Sequence, residues 1–95
     1  MNNVLIYEEG KLVGKSSNIK ITVTDSSRTF RMEDITILPD FHLLNGPENP
    51  YHIEFYNAGS TGSMECIFTG RSPVSESYDY LQYLEGNFTS LYITS

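Results

Sequence analysis

Alanine occurs once in this chain, at Ala58, and cysteine once, at Cys66. Basic residues number only six. No apolar run approaches the about 20 residues that a membrane-spanning helix needs. Each scarcity excludes something. One cysteine leaves no internal disulfide. Six Lys and Arg against twelve Asp and Glu give a formal net charge of -6. That excludes a protein that coats nucleic acid by neutralising phosphate, which needs clustered cations. The opening Met1-Asn2-Asn3 lacks the basic region and apolar stretch of a secretory signal. An intracellular setting, or a particle assembled inside a cell, is expected. The shortage of alanine, the best helix former, argues against a helical fold.

What is plentiful points the same way. Ile, Val and Thr supply 20 of the 95 residues, and Tyr and Phe another 12. β-branched and aromatic side chains pack well on a pleated surface. The chain length suits one domain, 1–95. Charge is uneven: residues 1–47 carry a net -1 and residues 48–95 a net -5. Such a split suits a subunit that stacks on a copy of itself or meets a basic partner, although solubility alone accounts for it as well.

Alternation along the chain locates the strands. Val4–Tyr7 and Leu12-Val13 flank a Gly-containing turn and read as a hairpin. Gly14–Ser17 reads as a break. Ile19, Ile21 and Val23 then share one face of a strand over Asn18–Thr24. Asp25–Arg28 reads as a turn. Phe30 and Met32 alternate, and Ile35 and Ile37 resume in shifted phase after Glu33-Asp34, which demands a bulge or turn. Asn45-Gly46-Pro47-Glu48-Asn49-Pro50 is the strongest loop signal, within an extended loop over 39–50. Tyr51, Ile53 and Phe55, then Met64, Cys66 and Phe68, predict a second hairpin around Asn57–Ser63. Ser72-Pro73 resembles a helix start, with Val74, Tyr78, Leu81 and Leu84 on one helical face and Gly86 as its C-terminal stop. Phe88–Ile93 reads as a last strand. The expected fold is all-β, an antiparallel barrel or sandwich of about six or seven strands, with one short helix before the last strand.

No constellation of catalytic residues emerges. Gly10–Ser16 imitates a phosphate-binding loop, but has three residues where that loop needs four, and leads into a strand where that loop leads into a helix. Asp40, His42 and His52 could be drawn as a two-His, one-carboxylate site, yet nothing in the sequence brings His52 to the other two. No metal or cofactor is therefore implied. Cys66 falls in the apolar phase of its strand and reads as an inert core thiol. Asn87-Phe88-Thr89 matches a glycosylation acceptor without a secretory route to use it. Glu76, Asp79 and Glu85 lie beside Tyr78, Tyr80 and Tyr83. Exposed tyrosines supply contact area at low entropic cost. Candidate partner-binding residues are thus Asn45, Gly46, Pro47, Glu48 and Asn49 in the loop, with Glu76, Asp79, Tyr80 and Tyr83.

Residues Val4 to Val23 run as a strand, a Gly turn, a short apolar pair, then a long alternating strand. This opening resembles bacteriophage tail-tube and related tail proteins, whose subunits are usually longer. The resemblance implies a non-enzymatic virion subunit of a tail, baseplate, connector or capsid decoration, assembled in the host cytoplasm. It implies a homo-oligomer or docking on other virion proteins, with no direct contact to nucleic acid or membrane. A different expectation is a small acidic phage-encoded inhibitor that occupies a basic nucleic-acid-binding groove of a host protein, since carboxylates imitate phosphate.

Overall fold

The computed structural model describes residues 3–38, 49–57 and 60–94. The fold is all-β. Among the described residues six strands appear in chain order: β1 (Asn3–Glu8), β2 (Lys11–Val23), β3 (Arg28–Ile37), β4 (Pro50–Asn57), β5 (Ser60–Arg71) and β6 (Tyr80–Thr94). They close into a barrel in the order β1-β2-β3-β6-β5-β4. Every neighbouring pair is antiparallel. Closure leaves the hairpin β2–β3 on one wall and the hairpin β4–β5 on the wall across from it.

Turn chemistry starts the barrel. Glu9 and Gly10 both take positive φ, 50° and 82°, between the pair Glu8 and Lys11. Two left-handed residues in a two-residue loop match the twist of a hairpin. The predicted break at Gly14–Ser17 does not occur, because β2 runs through it without interruption.

Closure also requires stagger. From Val4 the cross-strand partners lead one way through Phe55 and Gly62 to Ile93. The other way they lead through Ser16 and Ile35 to Leu81. Both walks end on β6, twelve residues apart, between Leu81 and Ile93. That offset is the shear that tilts the strands. It explains why β6 is the longest strand, at 15 residues.

The phase shift expected at Glu33-Asp34 is present, and it is shared. Met32 and Ile35 are both buried, with Glu33 and Asp34 exposed between them. On β2 the exposed pair is Ser17-Asn18, between buried Ser16 and half-buried Ile19. On β6 the pair Gln82-Tyr83 separates buried Leu81 from buried Leu84. The pairing skips Asp34 on both of its sides. Three adjacent strands thus crease at one level, and the register beyond the crease is kept.

Two buried serines serve the interrupted ladder. Ser16 Oγ donates to the Glu33 carbonyl at 2.6 Å and accepts from Asn18 N–H at 3.2 Å. Ser72 Oγ accepts from the N–H groups of Gln82 and Tyr83 at 2.8 and 3.1 Å. Buried backbone groups need such partners wherever a ladder fails.

The crease also overturns the predicted helix. Among the described residues there is no helix. Ser72–Asp79 is a turn-rich connection, bridged to β6 through Val74 and Leu81. Leu81 and Leu84 are buried three residues apart because a creased strand turns two successive side chains outward. The same spacing on a helix would mark one face, so the pattern was ambiguous. Gly86 is not a helix stop. It lies mid-strand, where a Cβ would collide with the backbone of Ile67 and Phe68. A strand glycine of this kind permits close backbone approach.

The core fills the barrel with Val4, Ile6, Met32, Ile35, Ile53, Met64, Leu81 and Leu84, all essentially inaccessible. An aromatic layer of Phe30, Tyr51 and Phe68 joins it, with the Phe68 ring 4.5 Å from Tyr51 and 5.8 Å from Phe30. Phe55 covers Gly62 on the facing strand, where a Cβ would occupy the space of the ring.

Candidate interaction surface

The structure redistributes the charge that the sequence shows by halves. The β2–β3 hairpin carries Lys11, Lys15, Lys20, Arg28 and Arg31 against Asp25, Glu33 and Asp34, a net of +2. The rest of the chain carries Arg71 against nine carboxylates, a net of -8. On this hairpin the outward phase of β2 holds Lys15 and Lys20, both exposed. Lys20 faces Arg31 across the ladder. Like charges directly opposite one another destabilise a sheet. Arg31 finds partial relief, with its guanidinium 3.4 Å from Glu85 and 4.3 Å from the centre of the Tyr83 ring. Among the described residues Lys15 and Lys20 have no ion pair.

The opposite wall, the β4–β5 hairpin, carries Glu54 and Glu65 against Arg71, a net of -1 with His52 neutral, and the exposed Tyr56. His52 on β4 lies across from Glu65 on β5. Its Nδ1 is 2.6 Å from Glu65 Oε1, and its Nε2 is 3.3 Å from Glu54 Oε2. The Glu65 hydrogen bond raises the imidazole above its ordinary value; partial burial opposes the rise and Glu54 adds to it. Tyr56 donates its hydroxyl to Glu54 Oε1 at 3.2 Å. Tyr7 completes the group, its ring 5.9 Å from that of His52.

Beside these groups a shallow trough opens, lined by Glu54, Tyr56, Thr61, Ser63, Tyr92 and Thr94. The register explains its shape. Glu54, Ser63 and Tyr92 form one row across β4, β5 and β6, and Tyr56, Thr61 and Thr94 form the next. Small hydroxyl residues occupy the middle strand, and a tyrosine stands on each side. Tyr92 is 71% exposed and Tyr56 42%.

The predicted partner residues are scattered by the fold. Asn45, Gly46, Pro47 and Glu48 lie outside the described residues, as does most of the predicted 39–50 loop. Asn49 is exposed just before β4. Glu76 and Asp79 are exposed on the connection into β6. Hydroxyls of Ser77 and Ser75 bind the Asp79 carboxylate and hold it below the usual carboxylate range. Tyr80 donates to Asp34. Tyr83 is half-buried under Arg31. Glu85 lies opposite Arg31 and Asp79 beside Ile37 at the other end of β3, so the two do not form one acidic cluster. Tyr78, which the sequence pattern puts on one helical face with Leu81 and Leu84, is instead 76% exposed with a φ of 58°.

Of the drawn metal triad, Asp40 and His42 lie outside the described residues. Among the described residues no group of three ligand side chains is arranged to hold a metal ion. Cys66 is buried, and burial, aided by the nearby Glu65 charge, pushes its thiol up to about 12. The sequence reading missed the trough, since its residues come from three strands that only the register aligns.

No protein-family model matches the chain, and no curated protein or solved structure matches it.

Proposed function

We propose that this chain is a non-enzymatic structural protein of a virus particle, in a tail, baseplate, connector or capsid-decorating position. It acts by self-association or by docking on other virion proteins. The observation that carries the assembly reading is the placement of a cationic hairpin, net +2, and a hairpin with outward Glu54, Glu65 and Tyr56 on opposite walls of one barrel. Complementary walls on one subunit favour repeated contact between subunits. The virion setting draws on the tail-protein resemblance of Val4 to Val23. The inhibitor reading has less support, because Glu85 sits mid-strand beside Arg31 while Asp79 lies at the far end of β3 beside Ile37, so these carboxylates do not share one patch.

Light scattering and negative-stain microscopy across concentration test the proposal. Rings, tubes or a defined multimer are expected. A strict monomer at every concentration, with no binding to other virion proteins, would overturn it.

A further inference from the structure

We infer that the Tyr56–Tyr92 trough receives the outward cations of β2, chiefly Lys20, from a second copy of this chain. The inference rests on the assembly reading above and names its contact. Three observations converge on it. Lys15 and Lys20 are exposed without an ion pair among the described residues, and Lys20 faces another cation, Arg31. An anionic neighbour would relieve that repulsion. On the opposite wall, Glu54 lies in the trough and Glu65 stands one row further along β5; both carboxylates face outward, and an incoming cation would share them with His52. Finally, two exposed tyrosines flank the trough. Aromatic faces attract ammonium and guanidinium groups, and exposed tyrosines are common anchors at interfaces.

The occupant follows from charge. Two copies of net charge -6 repel at long range. The β2–β3 hairpin has a net charge of +2, so it is the part a second copy can present to the outward carboxylates of β4 and β5. The contact is head-to-tail, because the donor wall and the acceptor wall lie on opposite sides of the barrel. A heterologous contact of this kind builds rings when its rotation closes and filaments when it does not.

The geometry dictates a complementation experiment. One variant, Lys15→Glu with Lys20→Glu, loses the donor wall and keeps the trough. Another, Glu54→Lys with Glu65→Lys, loses the acceptor wall and keeps the donor. All four positions lie on the outer surface, and melting curves verify that each variant folds. Sedimentation velocity at low salt should show wild-type multimers and two monomeric variants. Mixing the two variants should restore association, since the intact donor of one meets the intact trough of the other and the two reversed walls are complementary as well. Added salt should weaken the wild-type contact through screening. Tyr92→Ala should weaken it by about tenfold, in the range of an interface anchor.

Wild-type multimers that persist in either variant, or a mixture that stays monomeric, overturn the inference and leave the assembly reading in place. A wild type that is monomeric at all salt and protein concentrations removes both the inference and self-association. Should a variant fail to fold, Tyr92→Ala decides alone, because that side chain is largely solvated: an unchanged association constant overturns the trough contact.

Discussion

Tyr80 donates its phenolic hydroxyl to Asp34 Oδ1 at 2.7 Å, joining the first residue of β6 to the crease of β3. Asp34 has a left-handed backbone, with φ 54°. Aspartate enters that region more readily than most residues, whereas a β-branched side chain is strained there. Asp34→Val should therefore cost about 1–2 kcal/mol in backbone strain. Asp34→Gly should avoid it, and urea unfolding of the two variants measures the difference. The Asp34 hydrogen bond also raises the Tyr80 phenol above its usual value. Asp34→Asn should lower it again in a spectroscopic pH titration.

The serine hydroxyls at the crease are structural. Ser72→Ala would leave the Gln82 and Tyr83 N–H groups without their side-chain acceptor. Loss of stability of about 1–3 kcal/mol is expected, as for buried donors stripped of a partner. Ser72→Thr would keep the hydroxyl and add a methyl group in a fully buried position. If Ser72→Ala unfolds at the same urea concentration as the wild type, the hydroxyl does not stabilise the crease.

Glycine has two different roles at Gly86 and Gly10. Gly86→Ala places a Cβ against the Ile67 carbonyl and the Phe68 backbone. Backbone cannot swing aside like a side chain, so a loss of about 3 kcal/mol or more, or failure to fold, is expected. At Gly10 there is open space for a Cβ, but φ is 82°. Gly10→Ala should cost about 1 kcal/mol through strain alone. Thermal melts of the two variants separate steric collision from conformational strain.

His52 gives stability a pH dependence with a definite sign. Its value is raised in the folded protein, first by the Glu65 hydrogen bond. The associated stabilisation is fully present below the unfolded imidazole value of 6.5 and is lost as pH rises through the folded value. Below the carboxylate range it disappears as well, once Glu54 and Glu65 are protonated. His52→Gln should therefore lower the melting temperature more at pH 6 than at pH 8. An equal shift at both values would show that the imidazolium is not bound more tightly in the folded state.

Cys66 should resist alkylation in the native protein. Its thiol is buried and pushed up to about 12, so thiolate is scarce at neutral pH. Labelling by a thiol reagent should become complete only in denaturant. Rapid labelling of the native protein would place the thiol outside the core.

Much of the strand content was legible because strand periodicity reports directly on which side chains face a core. Tyr51 and Ile53 alternate in the sequence and are buried on β4, with Phe55 partly buried against the same core, and Met64 and Cys66 are buried on β5. Leu81 and Leu84 misled because three-residue spacing is compatible with both a helix and a creased strand. What separates those cases is the behaviour of the neighbours: Ser17-Asn18 and Glu33-Asp34 crease at the same level, and no local window contains all three strands. The trough was illegible for a related reason. Glu54, Ser63 and Tyr92 are far apart in the chain and become one row only through the register.

The sequence by itself determined the all-β class, most strand positions, the buried cysteine and the acidic balance. These depend on composition and on short-range alternation, which local chemistry sets. The tertiary structure alone decided that the sheet closes, that its closure is staggered by twelve residues, and that the cationic hairpin stands opposite the one that bears Glu54 and Glu65. Those features arise from pairing between segments distant in the chain. Such pairing is chosen by which arrangement buries the apolar faces of all six strands at once.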